Sequence, residues 1–448
     1  MVFPRRGSPL MRKKNLYLLL PLLATVFLAG CPSHNPVPAL TPSTPPPSSI
    51  PDQSKASVLP SGKALEGGTL RVHFTGGRNI GASLMGPTLG AGNSASTTGI
   101  DFQPLTPGKY RLLAYAPSFA TVRLDNLFVG IDPSTGGIDP QKKILDATIN
   151  LVPDAKLSGR VIDQDGRPLW GARISWGAAA TLSKNDGTFL LEGAAPGKFS
   201  LHLNKTLFAG TSLTVDAVAG KTSAVGDVKL TSTTAKFALL NPSDLLEGKT
   251  IRENYSNLLS RLALGGFTEG NQSDSSIWLL IDPASLPESK CAEIAAFVAS
   301  GGKLIVLGEW GGYGGGHPDE ANRLLGFFGI NFQTDLVRST SNVGTPEWIN
   351  VRDFSTLPLV KAVDMINLFA ACSVFSVSPA LTVASTGASG YRVQSTGIPV
   401  AAATQEGDGL VIAVGDSSAW SNFAAAPSSY PNLDRGNNAD FMLNLFLW

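Results

Sequence analysis

The sequence predicts a multidomain chain: tandem all-β sandwiches followed by an α/β three-layer domain with a mostly parallel sheet. Three observations lead there. Between residues 66 and 233, short runs alternate apolar with polar residues and break at Gly, Pro and Asn turns, the spacing of antiparallel strands with one wet and one buried face. Beyond Thr234 the apolar runs become continuous and alternate with helical stretches, as when helices cover both faces of a sheet. Pro107-Gly108-Lys109-Tyr110 and Pro196-Gly197-Lys198-Phe199 each lead into an alternating strand, an internal echo that favours two related sandwiches over one large one.

The chain opens on 1–31, in which residues 11–31 read MRKKNLYLLLPLLATVFLAGC. Three basic residues precede a short apolar core and small residues, the pattern of a secretory signal rather than a membrane-spanning helix. Met11 is an alternative start. Leu28-Ala29-Gly30-Cys31 resembles the bacterial lipobox, which implies that Cys31 becomes the lipid-modified first residue and that acyl chains are the anchor. An ordinary signal with a chance cysteine is the alternative. Pro32, in place of an aspartate after the cysteine, implies the outer membrane in a diderm host, and the outer face of the cell membrane in a monoderm one. Residues 32–62, dense in proline and serine, bury too little apolar area to fold and read as an extended tether.

Net charge is +1 with 15% charged residues, so no basic field points to nucleic acid. Beyond Cys31 the cysteines are Cys291 and Cys372; a disulfide and two buried thiols both remain open.

The first sandwich is expected over 63–152 and the second over 153–233. In the second, Gly159-x-Val161, Asp165-Gly166-x-Pro168-Leu169-x-Gly171-Ala172, Asp186-Gly187-x-Phe189 and Pro196-Gly197 resemble the carboxypeptidase regulatory-like domain. The resemblance implies a transthyretin-like sandwich with a carbohydrate-binding-like fold. The Asp-Gly pairs make sense as turns, since glycine accepts positive φ.

Residues 234–448 carry the strands KFALL, SIWLLID and KLIVLG, with helices over TIRENYSNLLSRLALGG, SKCAEIAAFVASGG and DEANRLLGFFG. A hairpin around Glu406-Gly407-Asp408-Gly409 and a final packing helix, NADFMLNLFLW, follow. In order, Ile281-Asp282-Pro283, Gly301-Gly302-Lys303-Leu304-Ile305-Val306, Pro399-Val400-Ala401 and Gly409 to Asp416 resemble the class I glutamine-amidotransferase-like superfold. The likeness is to its non-catalytic branch, which includes DUF4350-type domains and the N-terminal domain of an intraflagellar-transport subunit. In catalytic relatives a Gly-x-Cys-x-Gly elbow presents the nucleophile beside oxyanion-stabilising amides. Here that position reads Gly308-Glu309-Trp310-Gly311-Gly312, and indole is no nucleophile. The His-x-Glu that completes the triad is also missing, because the last strand runs into Gly415-Asp416-Ser417. The resemblance therefore implies no catalytic residues.

Other constellations fare no better. His317 is the one histidine after residue 202, so a Cys–His dyad or a Ser417–His317–Asp416 arrangement must use it; buried structural thiols are the plainer reading of Cys291 and Cys372. Gly311 to Gly316 lacks the lysine of a phosphate loop. Asp163-x-Asp165-Gly166 starts like a calcium loop without its later ligands, and the histidines at 34, 73, 202 and 317 offer no zinc spacing. Neither metal nor cofactor is expected. What remains is a candidate pocket at the sheet edge walled by Trp310, with Glu309, His317, Asp416 and Ser417 near it; core packing is the alternative for Trp310.

The expected function is a membrane-tethered, exported, non-enzymatic binding or scaffolding lipoprotein of the cell envelope, with a glycan or an envelope protein as partner. The alternative is a hydrolase with a degenerate site at the same edge. Cys31→Ala should leave unprocessed or soluble protein when cells are fractionated. A variant that still matures and pellets with membranes would end the lipid-anchor reading.

Overall fold

The computed structural model describes residues 67–448 except 95–98, 178, 247, 313–315, 340–343, 358–359, 361, 387–389, 392–396 and 424–430. The expected signal, Cys31 and tether lie outside the described residues. The described chain is mostly β, arranged in several sheets. Among the described residues no helix is long and apolar enough to cross a membrane.

Residues 68–150 form a three-stranded sheet (Ile100–Leu105, Gly68–Thr75, Ile144–Asn150) and a four-stranded one (Gly90–Ser94, Ile80–Met85, Gly108–Tyr115, Val122–Val129). Alternate residues point inward, so Leu70, Val72 and Phe74 of one sheet meet Ile80, Ala82, Leu84, Tyr110 and Leu112 of the other in one core. Each of the larger apolar side chains, fully buried, contributes roughly 1.5–3 kcal/mol. Tyr110 of the first Pro-Gly-Lys echo is buried, and its hydroxyl donates to the Thr106 carbonyl at 2.6 Å.

Residues 155–232 repeat the plan with a five-stranded sheet (Ala179–Leu182, Arg173–Trp176, Gly197–Lys205, Phe208–Ala217, Thr231–Ser232) and a three-stranded one (Thr188–Ala194, Ala155–Ile162, Thr222–Lys229). Their core holds Leu157, Val161, Ile174, Trp176, Phe189, Leu191, Leu201 and Leu203. The acidic loop is a turn: Asp163 Oδ1 accepts the N–H groups of Asp165 and Arg167 at 2.9 and 2.8 Å, and Gly166 takes φ +81°.

From Ala235 a nine-stranded sheet begins. Five neighbouring strands, in spatial order Phe267–Glu269, Ala235–Leu239, Ile277–Ile281, Lys303–Leu307 and Gly409–Val414, pair in parallel. The next four, Pro399–Glu406, Leu381–Thr386, Trp348–Phe354 and Ile366–Phe369, continue antiparallel. Four of the eight pairings are therefore parallel, which corrects the expectation of a mostly parallel sheet. The cause is chain path: the four antiparallel strands all precede Gly409–Val414 in the chain, and the hairpin at Gly407 reverses direction between Pro399–Glu406 and that last parallel strand. One face, with Phe237, Leu279, Ile305 and Ile412, packs on helices Ser256–Leu264 and Asn438–Leu447. The other, with Trp278, Leu280, Val306 and Val411, packs on Glu288–Ala299 and Pro318–Leu325. The expected helix over TIRENYSNLLSRLALGG is split into Ile251–Asn254 and Ser256–Leu264 at Tyr255. The first piece starts on a capping box between Thr250 and Glu253, which satisfies its orphan N–H groups.

The Glu406–Gly409 turn reaches both sandwiches. Glu406 Oε2 lies 2.7 Å from Arg111 Nη1, and Glu406 Oε1 lies 3.0 Å from Arg123 Nη1. Asp125 pairs with the same two arginines at 2.6 and 2.9 Å. Asp408 accepts a hydrogen bond from Ser175 Oγ and sits 3.2 Å from His202 Nδ1. Glu406→Gln should lower unfolding free energy by roughly 1–3 kcal/mol, because two shielded guanidiniums lose a counter-charge. Urea denaturation would measure it, with the exposed Lys221→Ala as a control near zero; equal effects in the two variants would show that the turn carries no load.

Candidate functional site

Strands Ile277–Ile281, Lys303–Leu307 and Gly409–Val414 are adjacent and parallel, so their carboxyl ends share one edge, where open sheets of this kind place ligands. They deliver Asp282, Glu309 and the pair Asp416-Ser417 to that edge. Two glycines make the approach close. A Cβ on Gly308 would stand 2.6 Å from the Phe332 ring, and one on Gly415 would stand 2.3 Å from the Cys372 carbonyl oxygen.

Glu309 is 3% exposed, and Asp416 and Ser417 are fully buried. One oxygen of Glu309, Oε1, accepts from Ser417 N (3.3 Å), Ser418 N (3.0 Å), Ser418 Oγ (2.9 Å) and Ser417 Oγ. Ser417 Oγ in turn accepts from the buried Tyr255 hydroxyl at 2.8 Å. Asp416 accepts from Phe369 N at 2.6 Å and from Ala419 N at 3.2 Å. Burial pushes the Glu309 carboxyl up to about 7, with the Asp282 charge adding to the rise and the serine hydrogen bonds opposing it. Burial, then the Glu309 charge, holds Asp416 well above the usual carboxylate range. Two acids this close cannot both ionise cheaply.

His317 sits apart from these serines. Its backbone N–H donates to Asp282 Oδ1 at 3.0 Å, and its Nδ1 lies 3.4 Å from Asp282 Oδ2, with the imidazole 34% exposed. Burial raises the Asp282 pKa against the pull of His317, and Asp282 holds φ +34°, in the left-handed region. Trp310 is half-buried and belongs to none of the core clusters; a Cβ on Gly312 would meet its indole at 2.3 Å.

The five residues chosen from the sequence therefore share an edge without forming one open pocket. Asp416 and Ser417 are turned inward because the turn's backbone N–H groups and the Glu309 carboxyl need their oxygens. No Ser417–His317–Asp416 relay forms: Ser417 bonds to Glu309 and Tyr255, and His317 turns to Asp282. Cys291 and Cys372 are free, buried thiols. Burial pushes the Cys291 thiol up to about 12 and holds that of Cys372 well above its usual range, the opposite of an activated nucleophile. Sequence reasoning passed over Asp282, Tyr255 and Ser418. Asp282 had a signal, an acid ending a buried strand; Tyr255, one aromatic in an amphipathic helix, had none.

The carboxypeptidase regulatory-like domain family matches residues 156–231, and the chain contains that domain. Among curated proteins none matches the sequence. Solved structures that resemble the chain include the mmIFT52 N-terminal domain, 20% identical, covering 48% of this chain and 96% of that one at TM-score 0.39. The cytoplasmic protein STM3548 from Salmonella typhimurium is 14% identical, covering 48% and 97% at TM-score 0.33. A cold-adapted β-galactosidase from Rahnella sp. R3 is 13% identical, covering 47% and 30% at TM-score 0.32. These scores are too low to assign a fold or an activity.

The acid network sets a pH dependence. Glu309 has a folded pKa above its unfolded value of 4.5, so the native state binds the extra proton and stability falls as pH rises between about 4.5 and 7. Below that window both states are protonated and the contribution is whole; above it the contribution is lost. Glu309→Gln keeps an acceptor for the serines and cannot ionise. It should match the parent's melting temperature near pH 4.5 and exceed it at pH 8; parallel melting curves across the window would show that Glu309 does not titrate there.

Proposed function

We propose that the protein is an exported lipoprotein, tethered through Cys31 to the outer membrane or the outer face of the cell membrane. It acts there as a non-enzymatic binding or scaffolding protein. Its C-terminal block is a non-catalytic member of the glutamine-amidotransferase-like superfold, a DUF4350-type α/β domain, read from the order of its sequence motifs. The observation that carries the reading is the state of the elbow. Trp310 stands where a nucleophile would, while Glu309 is engaged by Ser417 and Ser418, and the Ser417 and Tyr255 hydroxyls and the Cys291 and Cys372 thiols are buried. An edge whose polar groups satisfy one another supports binding or assembly better than turnover. A glycan is the proposed ligand class, because the half-buried Trp310 offers an aromatic face at the edge and indole stacks on sugar rings.

The test is retention of the chain on envelope polysaccharide without hydrolysis of esters, amides or glycosides. Trp310→Ala should abolish retention with little change in melting temperature, since the indole lies outside the core. Trp310→Cys should not turn over glutamine, because His317 is committed to Asp282; turnover by that variant would overturn the claim that the chemistry is gone. The second reading, a hydrolase with a degenerate site, draws on the Asp282–His317 pair, whose half-exposed imidazole is placed as a base. Hydrolysis lost in His317→Ala would favour it.

A further inference from the structure

The outer face of the five-stranded sandwich sheet carries an arginine with no visible reason to be buried. Along Arg173–Trp176, Ile174 and Trp176 enter the sandwich core, so Arg173 and Ser175 point the other way. Their cross-strand partners on Gly197–Lys205 are Asn204 and His202, which share that face. The Glu406–Gly409 turn and the loop at Gly301 cover it: a Cβ on Gly301 would lie 3.4 Å from Asp408 Cβ and 3.9 Å from Asn204 Nδ2.

Arg173 is only 4% exposed, and its Nε and Nη1 make no hydrogen bond. Asp408, the acid that acts on it electrostatically, is already engaged with Ser175 and His202. The charge around it is otherwise positive. Lys303 is buried and donates to Thr206 Oγ1 (2.7 Å), Phe446 O (2.7 Å) and Leu445 O (3.2 Å), and burial, then the like charges of Arg173 and Lys205, holds its pKa well below the usual lysine range. Burial pushes the Arg173 guanidinium down to about 10. A buried guanidinium that lacks acceptors is costly, and the same group is the side chain best shaped to grip a planar carboxylate or a phosphate.

We propose that this seam between the second sandwich and the nine-stranded sheet is a binding site for a small oxyanion, phosphate or carboxylate, held by the Arg173 guanidinium. Asn204 lies beside it as a neutral donor. Bound there, the anion bridges the two blocks and neutralises the Arg173 guanidinium.

The experiment is a titration of the full chain in detergent, in phosphate-free buffer, with inorganic phosphate and separately with acetate. Ionic strength is held constant with sodium chloride, and the readouts are melting temperature and calorimetric heat. A saturable rise with one anion and not the other identifies which chemistry the site takes; no saturable response to either overturns the proposal. Arg173→Met should abolish the response and melt above the parent when no anion is added, since an apolar side chain of similar length replaces an unpartnered charge. A retained response would place the anion elsewhere. Should that variant fail to fold, Asp408→Asn decides: loss of the one acid acting on Arg173 should tighten anion binding several-fold, and unchanged or weaker binding sinks the idea.

Discussion

The turn at Glu406–Gly409 places one carboxylate on each side of Gly407. The first meets Arg111 and Arg123 of the first sandwich, and the second meets Ser175 and His202 of the second. Exposed ion pairs contribute little, but here the partners are shielded and networked through Asp125, so losing one strands the others. The position is fixed from below as well. A Cβ on Gly409 would stand 1.9 Å from the Val298 carbonyl oxygen, so the hairpin fits against the Glu288–Ala299 helix only as glycine. Two strands of the central sheet, Pro399–Glu406 and Gly409–Val414, lead into and out of this turn. The attachment of both sandwiches thus depends on the register of the sheet's centre.

The same sheet explains why the acids at its edge are buried and paired. Parallel strands must present their carboxyl ends together, so acids at those ends crowd. Asp282, Glu309 and Asp416 meet within one low-dielectric region around Tyr255, and the fold answers by saturating Glu309 Oε1 with four donors and burying Asp416 on backbone N–H groups. The edge is a knot of mutually satisfied groups. The remaining open features are the Trp310 indole and the His317 imidazole, both carried on the glycine-rich loop and the helix start after it.

Much of the fold was legible because it rests on period. Alternation marked sandwich strands such as Gly68–Thr75, continuous apolar runs marked Ile277–Ile281 and Lys303–Leu307, and Asp-Gly pairs marked the turns at Gly166 and Gly187. The carboxypeptidase regulatory-like domain, whose signature is made of such turns, was identified from local sequence. The hairpin at Gly407 was legible, but the direction of the strands before it, such as Trp348–Phe354 and Leu381–Thr386, was not, since an apolar pattern carries no strand direction. The break at Tyr255 was equally silent, because the helical period continues through it.

The candidate site divides along the same line. The sequence by itself determined that position 310 offers no nucleophile, because the residue there is an indole whatever surrounds it. It also determined that charge is scarce and that the chain builds two sandwiches before its helices. Only the tertiary structure decided that Ser417 serves Glu309 rather than His317, that His317 turns to Asp282, and that Arg173 lies buried against Asp408 and Lys303. Each of those facts joins residues from separate strands, whose meeting is set by sheet order and by which face a pleat turns inward, and no local pattern along the chain encodes either.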